Sequence, residues 1–377
     1  MIDNNKSLRK LCYDIRNNSN GIVGIDTEFI RKFTYYPLLC IIQVVYFSKT
    51  ENKNAKDIID VLAPDLNLKP FFNILKDSKI KKIIHSCSQD IEALNFLNKV
   101  KIKNLDDTQI MAEFCGYKKN IGYTDAVNSI LGIDFKKNKN TRISNWKRRP
   151  LAKRQLKYAL NDVEYLIELY DKLLKQIKEY DNYEYYCSEM KYFLKFKEQK
   201  FVLKHLLNKV GFMVHKKSMG YVQLVEKLLI WREEKAITSN VIRHKILTDK
   251  SIGVIADTKP KNLKELKEIF EGRNDLINLK KVYKTEILAV INLFLMENKC
   301  KYANKIYYTN EVGFKQKSKL NCIYNKIGKL AIKRRINIHR LLSKRDIISL
   351  LMRYNGKREI LYGWKYDLLG DVIDGLL

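Results

Sequence analysis

Two acidic residues, Asp26 and Glu28, lie two positions apart within the otherwise apolar run Gly24–Phe29. If this run is a β-strand, both carboxylates point to the same face of the sheet, because strand side chains alternate. An unpaired carboxylate is costly in apolar surroundings, and carboxylate oxygens suit hard cations such as Mg²⁺ and Mn²⁺. The pair therefore indicates a divalent metal site, with a solvated acidic face on an edge strand as the alternative.

A third carboxylate, Asp90, follows a predicted strand over Lys81–His85 and falls in the first turn of a helix expected to begin near Ser88. Aspartate in a first turn also has an ordinary explanation, because it can cap the helix or interact with its dipole. The histidine that ends the strand is interpreted as structural, with its ring satisfied within the fold. Asp90 alone therefore leaves a catalytic and a structural role open.

Tyr158 and Asp162 are spaced i, i+4, which places both on one face of a predicted helix. A phenol near a carboxylate can orient an attacking water or help to deprotonate it. A routine pair on a helix surface is the alternative. Taken together, four carboxylates and one phenol are more specific for metal-dependent hydrolysis than any of the three segments alone.

In this order, the three segments resemble the motifs of the DEDD superfamily of 3′→5′ exonucleases, in its tyrosine-bearing subclass. Flanking residues narrow the resemblance to the ribonuclease D family over about residues 20–175. The flanking segments are Phe29, Tyr35-Tyr36-Pro37, Ile42-Gln43, Asp107-Thr108-Gln109, Phe114-Cys115-Gly116, Trp146 and Arg149-Pro150-Leu151. Asn145 departs from the family, which commonly has an acidic residue there, and Lys147–Arg149 is more basic than usual. These departures concern how substrate is gripped, because neither touches the carboxylates.

The resemblance continues into the second half of the chain. Trp231–Ala236 is similar to the W-R-x-x-x-A opening of an HRDC module, a small helical domain that holds nucleic acid, although the proline usual after its first helix is missing. Arg334–Asn337 and Gly363-Trp364 are similar to a second such module. The resemblance thus implies an exonuclease domain over residues 1–180 and HRDC-like domains over residues 200–292 and 300–377.

For the chemistry, the resemblance implies two Mg²⁺ or Mn²⁺ ions held by Asp26, Glu28, Asp90 and Asp162, with Asp26 bridging both. It implies that Tyr158 holds the nucleophilic water and that each cycle releases a nucleoside 5′-monophosphate. The implied substrate is RNA with a free 3′ end, such as a tRNA precursor, and the implied assembly is a monomer. A DNA-directed exonuclease of the same superfamily and an inactive RNA-binding protein are the alternatives.

The elements that must position these residues follow from periodicity. Strand-like runs at 21–29, 38–47, 57–62 and 81–85 alternate with helical patterns at 69–76 and 90–97, which favours an α/β domain whose first three strands form an antiparallel meander. The resemblance specifies a ribonuclease H-like mixed sheet with flanking helices. From about residue 185 the strand signals fade and helical stripes follow, which predicts all-α, HRDC-like domains.

The net charge of +30 favours a polyanionic partner over an ordinary neutral metabolic substrate, although a lysine-rich composition can also arise from an AT-rich coding sequence. Two windows are basic and contain no acid: Phe135–Asn161 has ten Lys and Arg, and Lys315–Arg345 has eleven. We expect these windows to contact phosphates, with solvated helix faces as the alternative. The candidate phosphate contacts are Arg142, Arg148, Arg149, Lys333, Arg334 and Arg335.

The candidates for stacking on the 3′-terminal base are Phe29, Tyr35 and Tyr36, for which core packing is the alternative.

Seven cysteines without a C-x-x-C pair predict buried, reduced thiols in a cytoplasmic protein and argue against a zinc site. The longest apolar runs, Leu38–Phe47 and Ile287–Met296, are shorter than the ~20 residues that cross a bilayer. No membrane partner is therefore expected.

Overall fold

The computed structural model describes residues 1–136, 141, 144–198, 210, 214, 217–269, 281–297, 306–307, 314–351 and 360–374. The chain forms two compact units. The first, called the sheet unit, comprises Met1–Ile30, Pro37–Glu198 and Val312–Leu377. The second, called the helical unit, comprises Arg31–Tyr36 and Gln199–Glu311.

A five-stranded mixed sheet organises the sheet unit, in the order β3-β2-β1-β4-β5. Its strands are β1 (Ser19–Ile30), β2 (Leu38–Ser48), β3 (Lys53–Asp60), β4 (Lys81–Ile84) and β5 (Leu105–Asp107). β1, β2 and β3 form the predicted antiparallel meander, and β4 and β5 run parallel to β1. The mixed sheet is thus confirmed. β1 is an inner strand, so its carboxylates do not lie on an edge strand.

One strand begins earlier than its apolar pattern indicates. β3 was expected at 57–62, yet it starts at Lys53, which pairs with Ser48. The first half of the strand, Lys53–Lys56, is polar and partly exposed, so it carries no apolar alternation. Hairpin pairing with β2 extends β3 over these residues, although their sequence shows no strand pattern.

Eight α-helices accompany the sheet within the described residues up to 198. They are α1 (Asn5–Asn17), α2 (Lys69–Lys76), α3 (Ser88–Asn98), α4 (Thr108–Phe114), α5 (Tyr123–Ala126), α6 (Lys153–Asn161), α7 (Leu166–Glu179) and α8 (Tyr183–Glu198). One sheet face packs against α1, α2 and α3 in a single apolar cluster. The other face packs against α4 and α7, and α6 covers its outer strands.

The last described helices belong to the same compact unit as the sheet. They are α14 (Phe314–Arg334), α15 (Ile338–Leu341), α16 (Lys344–Leu351) and α17 (Trp364–Asp374). Their apolar residues, among them Ile327, Leu341 and Trp364, share one core with α4, α7 and α8. The ring of Trp364 lies 5.0 Å from that of Phe114, centroid to centroid. The predicted domain boundary at residue 300 stays a prediction.

A buried polar network reinforces this contact. Arg340 donates to Glu189 Oε1 at 2.9 Å and to Glu113 Oε2 at 2.8 Å. Tyr362 and Trp364 donate to Glu189 Oε2 at 2.8 and 2.9 Å. Two of the helices that pack on the sheet side, α4 and α8, are thereby joined to the C-terminal helices by charge-assisted hydrogen bonds in a largely buried site.

Among its described residues, the helical unit is all-α apart from a two-residue ribbon that pairs Lys217–Ser218 with Ile306–Tyr307. Its described helices are α9 (Met219–Ser239), α10 (Arg243–Ile246), α11 (Asp249–Thr258), α12 (Leu263–Glu268) and α13 (Lys281–Glu297). α9 buries an apolar stripe against α11 and α13. The helical expectation for this region is confirmed. None of the helices in the described part of the chain is long and apolar enough to cross a membrane.

Glu189 gives a prediction about stability and pH. Burial alone would raise the pKa of its carboxyl, but the charges of Lys365 and Arg340 and the two ring donors hold that pKa below its usual value of 4.5. A lowered folded-state pKa means that the stabilisation is present above about pH 4.5 and is lost as the pH falls further. We expect Glu189→Gln to reduce the free energy of unfolding by about 3–5 kcal/mol at pH 7, because Arg340 loses one of its buried partners.

Thermal denaturation from pH 3 to pH 8 checks this expectation. The gap between wild type and variant should narrow below pH 4.5. Glu184→Gln, an exposed position on the same helix, is the matched control and should change little. A Glu189→Gln protein as stable as the wild type at pH 7 would contradict the role of the network.

Candidate active site

Strand β1 carries the first two candidate ligands. Asp26 and Glu28 are both half-buried, and in the antiparallel register they stand opposite Gln43 and Ile41 of β2. Their even spacing places them on one face of the sheet, as predicted. Gly24 lies on the same face, where a Cβ atom would come within 2.5 Å of Val45. A glycine at this position lets a helix pack closely over the strand.

That helix is α7. A Cβ on Gly24 would lie 3.1 Å from the side chain of Leu166, the first residue of α7. Asp162 precedes Leu166 by four residues, in the turn between α6 and α7. Asp162 thus lies four residues before the helix end that packs over Gly24, and its Oδ2 atom is shielded from solvent. Its membership of the predicted carboxylate cluster stays a prediction.

Tyr158 reaches the same region from α6. Its side chain is 6% exposed, and its ring centroid is 6.1 Å from that of Trp146. It shares an apolar cluster with Ile41 and Ile58, and Ile41 is the cross-strand neighbour of Glu28. Packing fixes the phenol beside the strand that carries the acidic pair, so the i, i+4 pair is not a routine surface pair.

Asp90 is brought to β1 from the other side. It lies in the first turn of α3, is 6% exposed, and accepts a hydrogen bond of 2.5 Å from Thr27 Oγ1. Burial raises the pKa of Asp90 to about 8, and the nearby negative charge of Asp26 adds to that effect. Two carboxylates on separate elements therefore lie close enough to repel each other.

Asp107 places Asp90, a role that the sequence did not reveal. Its carboxylate accepts hydrogen bonds from the N–H groups of Ser86 and Cys87, both at 2.9 Å, and so holds the loop from which α3 begins. It also accepts from Gln109 N at 2.8 Å, which caps α4. Ser86 is in the left-handed region with φ +66°, a strained conformation for a serine. The signal was the Asp107-Thr108-Gln109 segment, which pattern alone could not connect to Asp90.

The neighbouring histidine is structural, as interpreted. His85 Nδ1 lies 2.9 Å from Thr108 Oγ1, and His85 Nε2 lies 2.9 Å from the carbonyl oxygen of Ile121. Both ring nitrogens are thus engaged within the fold.

Whether the donor set fits a metal is a separate question. Within the described ranges, no group of three or more His, Cys, Asp or Glu side chains has a ready ligand arrangement. Hard oxygen donors are nevertheless present, and the repulsion between Asp26 and Asp90 is what a dication between them would offset. The chemistry of these residues fits a hard divalent cation.

The basic candidates near α6 divide into two kinds. Arg148 is exposed and, with the exposed Arg154, lines a cavity of about 690 Å³. Arg149 instead uses all five of its N–H donors inside the fold: two to Asp60, and one each to the carbonyl oxygens of Cys40, Trp146 and Arg148. Its guanidinium fixes the loop, so no donor is left for a phosphate in this arrangement. The remaining candidate in this window, at position 142, lies outside the described residues.

The aromatic candidates lie in different surroundings. Phe29 is half-buried against the core between the sheet and α1–α3. Tyr35 and Tyr36 belong to the helical unit and meet edge to face, with centroids 4.9 Å apart. Tyr35 donates to Glu233, and the guanidinium of Arg243 lies 4.9 Å from its ring. Base stacking by these three residues stays a prediction.

The candidates at the end of α14 are also mixed. Lys333 is exposed. Arg335 lies 4.5 Å from the ring of Tyr180, and Arg334 lies 6.0 Å from that of Tyr185. Both arginines thus pack against tyrosines of the preceding helical segments and help to hold the end of α14 in place. Their contact with nucleic acid stays a prediction.

Comparison with known proteins adds independent evidence. A family model described as a 3′-5′ exonuclease matches residues 1–178, and an HRDC domain model matches residues 222–291. Ribonuclease D of Bartonella henselae is 34% identical over 251 residues, which are 67% of this chain and 59% of that protein. Ribonuclease D of Nitrobacter hamburgensis is 30% identical over 72% of this chain and 69% of its own length. The chain belongs to the ribonuclease D family.

The family assignment extends over the length of the chain. Ribonuclease D of Sphingobium indicum is 28% identical over 100% of this chain and 95% of that protein. Membership in the ribonuclease D family makes the chain a hydrolase of the 3′→5′ exoribonuclease class. The resemblance read from the motifs is thereby confirmed at the level of family and enzyme class.

Solved structures agree on the fold. The crystal structure of Escherichia coli RNase D, described as an exoribonuclease involved in structured RNA processing, has a TM-score of 0.80 at 22% identity and covers 100% of this chain and 98% of its own. A protein from Bifidobacterium adolescentis has a TM-score of 0.64 at 18% identity. The ribonuclease D fold, a mixed-sheet domain followed by helical HRDC-like structure, is thus confirmed.

The raised pKa of Asp90 predicts how metal-free stability depends on pH. A carboxyl whose pKa is higher in the folded state stabilises the fold at low pH and loses that contribution as the pH rises towards 8. In EDTA at pH 8.5 we expect Asp90→Asn to have a higher Tm than the wild type by at least about 2–4 °C, which corresponds to roughly 1 kcal/mol. At pH 5 the two proteins should melt together.

Differential scanning fluorimetry across this pH range measures the effect. Asp134→Asn, an exposed position paired with Lys136, controls for the loss of one negative charge. If Asp90→Asn melts with the wild type at every pH, the repulsion between Asp26 and Asp90 is not present in solution.

Proposed function

We propose that the chain degrades RNA from its 3′ end by two-metal-ion hydrolysis and releases nucleoside 5′-monophosphates. The observation that carries this proposal is the approach of Asp26 and Asp90 from two elements, with Tyr158 packed on the neighbouring strand and Asp162 four residues before the helix end that packs over Gly24. A nearby cation would offset the repulsion between these like charges and make their approach favourable.

In this proposal Asp26, Glu28, Asp90 and Asp162 hold two Mg²⁺ or Mn²⁺ ions. Bound ions would lower the pKa of a water and offset charge on the phosphoryl oxygens. Tyr158 supplies orientation, because packing against Trp146 fixes its ring and limits the directions from which its hydroxyl can hold a water. Glu28 faces the terminal ribose.

RNA is held through its backbone in this proposal. Exposed cations, Arg148 and Arg154 beside α6 and Lys333 on α14, supply contacts that do not read sequence. Trimming of 3′ extensions from tRNA precursors and other structured RNAs fits such a division between a trimming site and a holding surface. A monomer in the cytoplasm remains the expected state of the protein.

The mechanism is tested by removing ligands one at a time. Asp26→Ala and Asp162→Ala should each reduce mononucleotide release by more than the 10–100-fold typical of outer-shell metal partners, because a direct ligand is removed. Denaturing gels of a tRNA with an extended 3′ tail, run with Mg²⁺ and with EDTA, score the product length. Asp134→Ala serves as the control and should retain activity.

Two outcomes would favour the alternatives. A faster rate on a matched DNA oligonucleotide than on RNA would indicate a DNA-directed exonuclease. EDTA-insensitive RNA retention without any shortening would indicate an RNA-binding protein. Persistent mononucleotide release by both alanine variants would refute the assigned ligands.

The basic cavity beside α6 gives a separate prediction. Arg148→Ala combined with Arg154→Ala should weaken binding to single-stranded RNA and flatten the dependence of log K on log salt by about 0.7 for each phosphate that is no longer neutralised. Lys6→Ala combined with Lys10→Ala, exposed on α1, removes the same charge elsewhere and is the control. Equal salt slopes for the two double variants, measured by fluorescence anisotropy, would exclude the cavity from the RNA path.

A further inference from the structure

Gln43 lies at the centre of the sheet beside the carboxylate cluster. It is on β2, directly opposite Asp26 of β1 in the antiparallel register. Opposed residues on neighbouring strands project from the same face, with Cβ atoms about 4.5–5.5 Å apart. The side chains of Gln43 and Asp26 are therefore neighbours on one face of the sheet.

The amide is fully enclosed. Gln43 is 0% exposed, and neither its Oε1 nor its Nε2 atom has a hydrogen-bond partner among the residues that the structure describes. A buried amide without partners is rare in folded proteins and costs free energy relative to an apolar side chain of the same shape. Nothing in the packing of the described sheet accounts for a glutamine here.

The neighbours on this face narrow the possible partners. Along β2 they are Ile41 and Val45, and across on β3 the opposed residue is Ile58. All three are apolar and cannot receive a hydrogen bond from Gln43 through their side chains. The polar group directly opposite is that of Asp26.

Two diagonal polar neighbours on β3 are already engaged. Asp60, opposite Ile41, accepts two hydrogen bonds from Arg149. Lys56, opposite Val45, pairs with Glu164. Neither forms a hydrogen bond with the amide.

We propose that Gln43 is a positioning residue whose Nε2 donates to the carboxylate of Asp26 when that carboxylate turns to hold an ion. The inference rests on the two-metal function proposed above. Carboxylates that bind metals are themselves held by hydrogen bonds from neighbouring groups, which fix their orientation. Gln43 is placed to do this from inside the sheet, where water does not compete. The amide lowers the stability of the metal-free fold and orients the ligand in the metal-bound fold.

The test uses the full-length protein and an isosteric change. Gln43→Met keeps the length of the side chain and removes both polar atoms, and Gln43→Leu is a second variant should methionine pack poorly. Gln223→Met is the control, because Gln223 also has a buried Oε1 without a partner, but in the helical unit. Three quantities are measured: Tm in EDTA, Mn²⁺ affinity by isothermal titration calorimetry, and the rate of mononucleotide release.

We expect Gln43→Met or Gln43→Leu to melt in EDTA at the wild-type temperature or up to about 4 °C above it. The same variant should bind Mn²⁺ 10–100-fold more weakly and lose activity by a similar factor. Gln223→Met should keep wild-type Mn²⁺ affinity and rate. A lower Tm in EDTA for both Gln43 variants would assign the amide a structural role and overturn the proposal, as would wild-type Mn²⁺ affinity.

The calorimetry separates this inference from the function on which it rests. If the wild type binds Mn²⁺ but releases no mononucleotide, the proposed reaction fails, and Mn²⁺ affinity still decides the role of Gln43. If the wild type is active and Gln43→Met binds Mn²⁺ as tightly, the role of Gln43 fails and the reaction stands.

Discussion

Like charges held close together are the constraint around which this fold is arranged. The carboxylates of Asp26 and Asp90 repel each other, and burial adds to the cost of their charges. The strand and the helix that carry them must therefore be held firmly in place. β1 resists because it is an inner strand, bonded to β2 and β4. α3 is held in place because the carboxylate of Asp107 accepts hydrogen bonds from the loop from which the helix starts. The surrounding strand and loop thus keep the two carboxylates close together despite their repulsion.

The hydrogen bonds of Asp107 also connect distant parts of the sheet unit. α4 starts at the residue after Asp107, and its last turn carries Glu113, which Arg340 of the C-terminal helices holds at 2.8 Å. One short helix therefore links the loop that places Asp90 to the C-terminal helices. Packing of helices that contribute none of the proposed ligands thereby supports the geometry of the site.

The sequence predicted the parts of the molecule that local patterns encode. Apolar runs located β1 and β2, and the spacing of Tyr158 and Asp162 predicted a helix that the structure forms as far as Asn161, with Asp162 directly after it. It could not predict contacts between segments far apart in the chain. Arg149 was expected to meet phosphate, yet Asp60, 89 positions away, takes its charge. From the sequence, Gln43 is only one residue of a segment shared with the family, because the role of a buried amide depends on the residue opposite it on the neighbouring strand.

The sheet unit is interrupted in the chain by the larger segment of the helical unit, residues 199–311, which lies between α8 and α14. The shared core of α4, α7 and α14 cannot close until the residues after 311 have been synthesised. At ~5–20 residues per second, translating the intervening segment takes roughly 5–20 s. During that interval the nascent chain lacks the helices that complete this core, so the apolar residues of α4 and α7 are without those packing partners. An RNA-degrading enzyme assembled in this order completes its fold only after most of the messenger that encodes it has been translated.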